Sequence, residues 1–269
     1  MPTRRGLGIA GSLDHRIVEQ VARATEQAGY GSFWANDTPG GEGLASLAAA
    51  ARATDGIDLG VGVIPVDRTT PDQIAARLVE LGLPLGRVIV GLGSGGARTG
   101  SVELVRGAVE ALKRLVPVRV YVGALGPRMT RLGVEVADGL LLSWLTPDAA
   151  REAAEFVRDA AKQAGRPTPT IATYLRLSLP EGEGRLVEEA NRYAGYPAYA
   201  AHFARMGVAA TETTISGTEA EIQRRLAPFD GVLDEVVVRA IASDETPEAY
   251  LALVKAAGPS ARQRRNRRT

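Results

Sequence analysis

Eight short apolar runs recur along the chain, none of them strictly alternating, and segments of helical period separate them. The runs lie at 7–10, 32–36, 57–63, 87–91, 118–122, 139–143, 171–178 and 235–240 and are rich in Val, Ile and Leu. A strand that is apolar at consecutive positions is covered on both faces, as parallel strands are. Between the runs, apolar residues return every three or four positions. Ile17, Val21, Ala24 and Ala28 share one face, as do Ile74, Leu78 and Leu81; Val102, Val105, Val109 and Leu112; and Ala150, Ala154, Val157, Ala161 and Ala164. Eight βα repeats in 269 residues without an intervening linker predict a single (β/α)8 TIM barrel over 1–259. A doubly wound open sheet shares this rhythm and is the alternative. The count of eight and the missing boundary favour the closed barrel.

Helix starts carry their own chemistry. Thr-Pro-acid occurs at Thr70-Pro71-Asp72, Thr146-Pro147-Asp148 and Thr246-Pro247-Glu248. Each supplies an N-cap hydroxyl, a proline at the first helical position and an acid near the positive helix end. Thr70 with Gln73 and Thr218 with Glu221 fit capping boxes, and Gly29, Gly82 and Gly165 fit helix ends. The stretch 180–217 breaks the rhythm with two short helical pieces and Tyr193, Tyr196 and Tyr199 close together. It fits either a lid over the barrel mouth or an oversized crossover.

Composition excludes several chemistries. With no cysteine and only His15 and His202, the chain has no disulfide, thiolate zinc site, Cys nucleophile or multi-histidine metal centre, so no metal is expected. No run of about 18 apolar residues and no signal-peptide core is present, which makes a soluble cytoplasmic protein the default and a membrane role unexpected. Five of the 32 basic residues fall in 262–269, leaving 27 against 31 acids elsewhere. Without interleaved aromatics or a reading motif, 260–269 is expected to be a solvated, flexible tail and not a nucleic-acid site.

In such a barrel, functional groups sit where strands end and loops begin. These ends read Trp34-Ala35-Asn36-Asp37-Thr38, Gly60-Val61-Gly62-Val63, Gly91-Leu92-Gly93-Ser94-Gly95-Gly96, Gly123-Ala124-Leu125-Gly126-Pro127 and Ser143-Trp144-Leu145-Thr146. Glycines let main-chain N–H groups approach a ligand, and the following helix N-termini favour anions. The mouth therefore fits a flat or phosphorylated ligand. The G-x-G-x-x-G of residues 91–96 is a weak dinucleotide signal: it follows the fourth strand, and the next strand ends without an acid to hold a ribose. His15 starts the first helix and His202 lies in the long crossover, so both are expected to be structural. Asp37, ending a strand at the functional face, is the acid singled out, with a turn-forming role as the plain alternative. Asp138 is assigned to a stabilising turn on the opposite face.

These strand ends resemble the bacterial luciferase-like superfamily, in its coenzyme F420 (deazaflavin)-dependent, methylenetetrahydromethanopterin reductase-like branch. The resemblance runs from Ala28-Gly29-Tyr30-Gly31-Ser32-Phe33-Trp34 and Asp37 through Leu59-Gly60-Val61-Gly62-Val63 and Thr70-Pro71. It continues through Arg87-Val88-Ile89-Val90-Gly91-Leu92-Gly93-Ser94-Gly95, then Val122-Gly123-Ala124-Leu125-Gly126-Pro127, Ala137-Asp138-Gly139 and Ser143-Trp144, and so covers residues 1 to about 165. It implies a barrel with F420, or alternatively FMN, across the C-terminal mouth. Asp37 would lie near the coenzyme ring as proton relay or hydrogen-bond partner. Val61, Gly62 and Val63 would form a bulge, often with a non-proline cis peptide, under the ring. Gly93, Ser94, Gly95, Ala124, Leu125 and Gly126 would approach the ribityl-phosphate end. Apart from the resemblance, Arg98 is a candidate to neutralise its charge, and Trp144 fits a pocket wall or, equally, barrel packing. A homodimer is also implied. One departure stands out: the family's Asp-His pair is Asp37-Thr38 here.

The activity implied is hydride transfer between F420 and a small organic substrate. The alternatives are a monooxygenase using reduced FMN from a separate reductase and a non-catalytic flavin-binding barrel.

Overall fold

A computed structural model describes residues 3–37, 40–97 and 99–260. Its strands are β1 (Arg4–Ala10), β2 (Ser32–Asn36), β3 (Asp58–Pro65), β4 (Val88–Gly93), β5 (Arg119–Gly123), β6 (Gly139–Ser143), β7 (Thr170–Ser178), the two-residue β8 (Ile215–Ser216) and β9 (Glu235–Ala240). Each of β1 to β7 pairs in parallel with the next, β7 pairs with β9, and β9 closes on β1. The (β/α)8 barrel read from the sequence is the fold. The strand the sequence did not show, β8, pairs with the end of β7 outside the ring.

The helices are α1 (His15–Gln27), α2 (Gly43–Arg52), α3 (Pro71–Glu80), α4 (Ser101–Leu115), α5 (Pro127–Val136), α6 (Pro147–Gln163), α7 (Glu183–Ala194), α8 (Pro197–Met206), α9 (Glu219–Leu226) and α10 (Pro247–Ala256). The Thr-Pro-acid signals act as expected: Thr70, Thr146 and Thr246 each accept an N–H of the first turn of α3, α6 and α10. Both capping boxes form. Gly29, Gly82 and Gly165 end α1, α3 and α6 with φ of 86°, 62° and 61°, where a Cβ would be strained. Among the described residues no helix is long and apolar enough to cross a membrane. Arg98, Thr38 and 261–269, which holds the arginine-rich tail, lie outside the described residues.

Strand side chains alternate, and every second one points into the barrel. Trp34, Ile89, Tyr121, Leu141, Ala172, Tyr174 and Val237 fill that interior as one apolar layer. Three large aromatics fit because glycines face them. A Cβ on Gly60 would come within 2.2 Å of the Trp34 indole, and one on Gly139 within 2.5 Å of the Tyr121 ring.

Below this layer, at the N-terminal ends of the strands, lies a polar floor. Asp58 accepts from Arg4 Nη2 at 2.8 Å and from Arg119 Nη2 at 2.6 Å. Burial works to raise the Asp58 carboxyl, but the hydrogen bonds from Arg119 and Arg4 hold it below the usual carboxylate range. Trp34 Nε1 donates to Ser32 Oγ at 2.8 Å, and Ser32 donates to the buried Glu235. Burial pushes the Glu235 carboxyl up, against the pull of Arg4 and Ser32. Asp138 accepts the Val120 N–H at 2.8 Å and pairs with Lys113 at 2.7 Å, the stabilising turn expected of it.

Candidate active site

The opposite, C-terminal end of the barrel opens into a cavity of about 260 Å³. Its floor and walls come from β2, β3, β4, β5, β6 and β7, and α7 and α8 supply Tyr193 and Tyr199 from above. The segment 180–217 thus contributes side chains to the mouth. Tyr193 and Tyr199 stack edge to face at 4.9 Å, and behind them Trp144, Ala190, Phe203 and Ala210 form a separate buried cluster. Burial raises the Tyr199 phenol to about 12, so it stays protonated.

On β3 the pairing register with β4 shifts between Val61 and Ile64, and the Gly62-Val63 peptide is cis. The bulge turns the Val63 side chain across its neighbours: a Cβ on Gly93 or Gly123 would approach it within 2.6 or 2.7 Å. Gly62 is crowded in turn by Leu141 and the Tyr174 hydroxyl. Gly95, at φ 60°, leaves space that the Asp67 carboxylate occupies, and Asp67 also accepts the Gly96 N–H at 2.8 Å. Glycines at these strand ends therefore have packing reasons of their own, whether or not a ligand also uses the room they leave.

Of the residues singled out in the sequence, Asp37, Gly62, Val63, Gly93, Ser94, Gly95, Ala124 and Leu125 line this one cavity. Three do not. Val61 points outward, where a Cβ on Gly43 would meet its side chain at 2.7 Å. Gly126 borders a neighbouring groove outside β5 and β6. Trp144, with φ of 57°, turns its indole back beneath α7 and α8, where it is 1% exposed. It reaches the cavity only indirectly, by stacking on Arg176 at 3.7 Å.

Asp37 Oδ1 accepts the Gly43 N–H at 3.2 Å, which ties the loop after β2 to the start of α2. Burial raises its carboxyl above the usual range, opposed by that N–H and by Arg68, which also lines the cavity. His202 is a bracket: its ring nitrogens lie 2.9 Å from the Leu125 carbonyl and 3.0 Å from the Trp144 carbonyl, joining the loops after β5 and β6. Burial lowers its pKa, and it faces the outer groove instead of the barrel cavity.

Among the cavity residues not singled out in the sequence are four polar ones on the strands: Asn36, Ser143, Tyr174 and Arg176. Each is the inward member of its strand at the C-terminal end. A polar or charged residue at that phase of a continuous apolar run, such as Arg176 in 171–178, is the signal that finds them. Asn36 Nδ2 donates to the Gly62 carbonyl at 2.9 Å, but its Oδ1 and the Tyr174 hydroxyl are buried without a hydrogen bond among the described residues. Buried polar atoms are rarely left so. Both belong to residues that line this one cavity.

Both segments 2–103 and 99–258 match the family model for luciferase-like monooxygenases. The chain belongs to that family. Among curated relatives, this luciferase-like chain is 27% identical over 199 residues to the 5,10-methylenetetrahydromethanopterin reductase of Methanolobus tindarius, covering 60% of this chain and 61% of the relative. The enzyme of the same name from Archaeoglobus fulgidus is 22% identical over 209 residues, covering 65% and 63%. The chain thus spans somewhat under two thirds of the relatives it matches. An F420-dependent secondary alcohol dehydrogenase bound to an F420–acetone adduct shares the fold at a TM-score of 0.73 and 16% identity, with 96% of this chain and 99% of that one covered. The coenzyme F420-dependent tetrahydromethanopterin reductase of Methanopyrus kandleri does so at 0.71 and 17%, covering 95% and 98%. The FMN-bound oxygenating component of 3,6-diketocamphane monooxygenase from Pseudomonas putida does so at 0.68 and 14%, covering 96% and 98%.

Proposed function

We propose that this chain is an oxidoreductase that transfers a hydride between F420 and a small organic substrate at the barrel mouth. The observation that carries the proposal is the pair of orphaned polar atoms, Asn36 Oδ1 and Tyr174 Oη, on residues that line a cavity beside the Gly62-Val63 bulge. A tricyclic ring with carbonyl and N–H groups on its edge suits such a wall: flat apolar surface from Val63, acceptors and donors at its rim. The likeness to methylenetetrahydromethanopterin reductases, together with the two F420-dependent enzymes that share the fold, supports F420 as the first choice over FMN. When bound, the coenzyme supplies the hydride chemistry, which the side chains of this protein do not.

The protein's own part is binding and proton management. Gly62-Val63 would support one face of the ring, and Gly93, Ser94, Gly95, Ala124 and Leu125 would hold the chain leading away from it. Tyr193 and Tyr199 close the mouth and exclude water. Asp37, half-buried and with its carboxyl raised, is suited to hold or release a proton at the site. It works without the histidine that usually follows it in the family, since position 38 is threonine.

The test is an anaerobic assay of reduced F420 oxidation against a panel of small carbonyl and imine compounds, beside oxygen uptake with reduced FMN. F420 oxidation dependent on an organic acceptor, with no oxygen uptake above the free-flavin rate, is expected. Enzyme-dependent oxygen uptake with reduced FMN alone would instead indicate a monooxygenase.

A further inference from the structure

We propose that the inward face of β7 carries a carboxylate-binding site, formed by the Tyr174 hydroxyl and the Arg176 guanidinium, that selects small organic acids as substrates. This rests on the oxidoreductase proposal above and names the substrate class. Residues two apart on a strand point the same way, so Tyr174 and Arg176 stand side by side on the cavity wall. Each is 3% exposed.

The guanidinium is fixed on three sides. Its Nε donates to Glu189 Oε1 at 2.9 Å, and its Nη1 donates to Ser143 Oγ at 2.9 Å. Its faces meet Trp144 at 3.7 Å and Tyr193 at 4.8 Å from the ring centroids. Nη2 makes no hydrogen bond among the described residues. A planar cation held this way presents its remaining N–H edge with little freedom left to lose on binding. One inward step earlier on β7, the Tyr174 hydroxyl is packed against Gly62 and buried without a partner.

Charge points the same way. Glu189 is shared among three arginines: Arg176, Arg192 at 3.6 Å and Arg239 at 3.9 Å. Burial works to raise the Glu189 carboxyl, but Arg239 and Arg176 keep it low and ionised. Of the three, Arg176 and Arg239 are buried, so two buried guanidiniums share a single carboxylate. On the cavity wall itself, Asp37 is the one acid among the described lining residues, against Arg68 and Arg176. Surplus buried positive charge is unfavourable until an anion arrives. A purely structural role for Arg176, clamping α7 to the barrel through Glu189 and Tyr193, accounts for its Nε and its stacking. It leaves the Tyr174 hydroxyl and Nη2 without a purpose.

The test is calorimetric titration of the purified protein with acetate, propionate and benzoate and with the matching amides, with and without saturating F420. Acids binding about tenfold or more tightly than amides is the expected result, as for hydrogen bonds to a charged group. Tyr174→Phe and Arg176→Gln should each remove about tenfold of that binding, and Arg176→Lys should restore part of it. Glu189→Gln separates the two roles by sign. It weakens the same clamp by removing its negative charge and leaves Arg176 less neutralised, so acids should bind more tightly; weakening to match Arg176→Gln would overturn the proposal. If Arg176→Gln does not fold, Tyr174→Phe and Glu189→Gln decide alone. Equal affinity for acids and amides, or one-for-one displacement of the acid by F420, would also overturn it. Acid selectivity in a protein that binds neither coenzyme would count against the oxidoreductase proposal and leave the anion site standing.

Discussion

The two ends of the barrel are built from the same alternation of inward side chains and treat polar groups in opposite ways. At the N-terminal floor, Arg4, Asp58 and Arg119 satisfy one another, and Trp34, Ser32 and Glu235 form a chain of hydrogen bonds. At the C-terminal mouth, Asn36 Oδ1 and the Tyr174 hydroxyl are left without protein partners, and Arg176 keeps an edge free. A folding chain gains nothing from unpaired buried groups. The floor therefore satisfies its own polar groups, and the mouth leaves some for the ligand proposed above. The unpartnered Nε and Nη1 of Arg5, near the floor but on the outer face of β1, and Nε1 of Trp144, behind the cavity, mark exceptions that nothing in the described structure explains.

The comparison can be broken first at the layer between the two ends. Trp34→Ala empties the largest interior side chain and should cost about 3–5 kcal/mol of stability in urea unfolding. Gly60→Ala, which drives a methyl into that same indole, should cost about 1–3 kcal/mol. At the floor, Asp58→Asn should cost about 1–2 kcal/mol at neutral pH, a value reduced because both arginines are partly exposed to solvent. Its pH dependence has a definite sign. The folded-state pKa of Asp58 is lowered, so its contribution is complete above the unfolded value of about 4. The gap between the parent and Asp58→Asn should shrink as pH falls below that value. If the gap instead widens on acidification, the floor is not held by an ionised Asp58.

At the mouth, stability and activity should part company. Tyr174→Phe removes an unpaired hydroxyl and should leave unfolding unchanged or raise it by up to about 1 kcal/mol. A loss above about 1 kcal/mol would show that this hydroxyl has a structural partner after all. Asp37→Asn should change stability by less still, about 0.5 kcal/mol, while lowering turnover about 10²-fold and leaving coenzyme affinity within a few-fold. Equal turnover would remove Asp37 from proton transfer.

Much of the barrel was legible because local chemistry and global fold agree. The eight runs became the eight barrel strands, and Thr70, Thr146 and Thr246 cap the helices they precede. The two-residue β8 was not legible, since a pair of residues carries no period. The mouth was legible only in part. Strand-end glycines do border the cavity, but several of them serve Trp34, Tyr174 and Val63, which no spacing rule reveals. Trp144 lies behind the cavity because a left-handed backbone turns it under α7 and α8. Arg176 escaped notice because, in sequence, one charged residue inside an apolar run does not announce that its partners, Glu189 and Ser143, come from other elements.

In the function proposed here, the unpaired polar wall and the Gly62-Val63 bulge receive a tricyclic redox ring. Equilibrium titration of the purified protein with F420 and FMN, side by side and followed by coenzyme fluorescence, tests it most directly. Saturation by F420 at one per chain, with FMN weaker, is the predicted result; no saturation by either coenzyme would contradict the account.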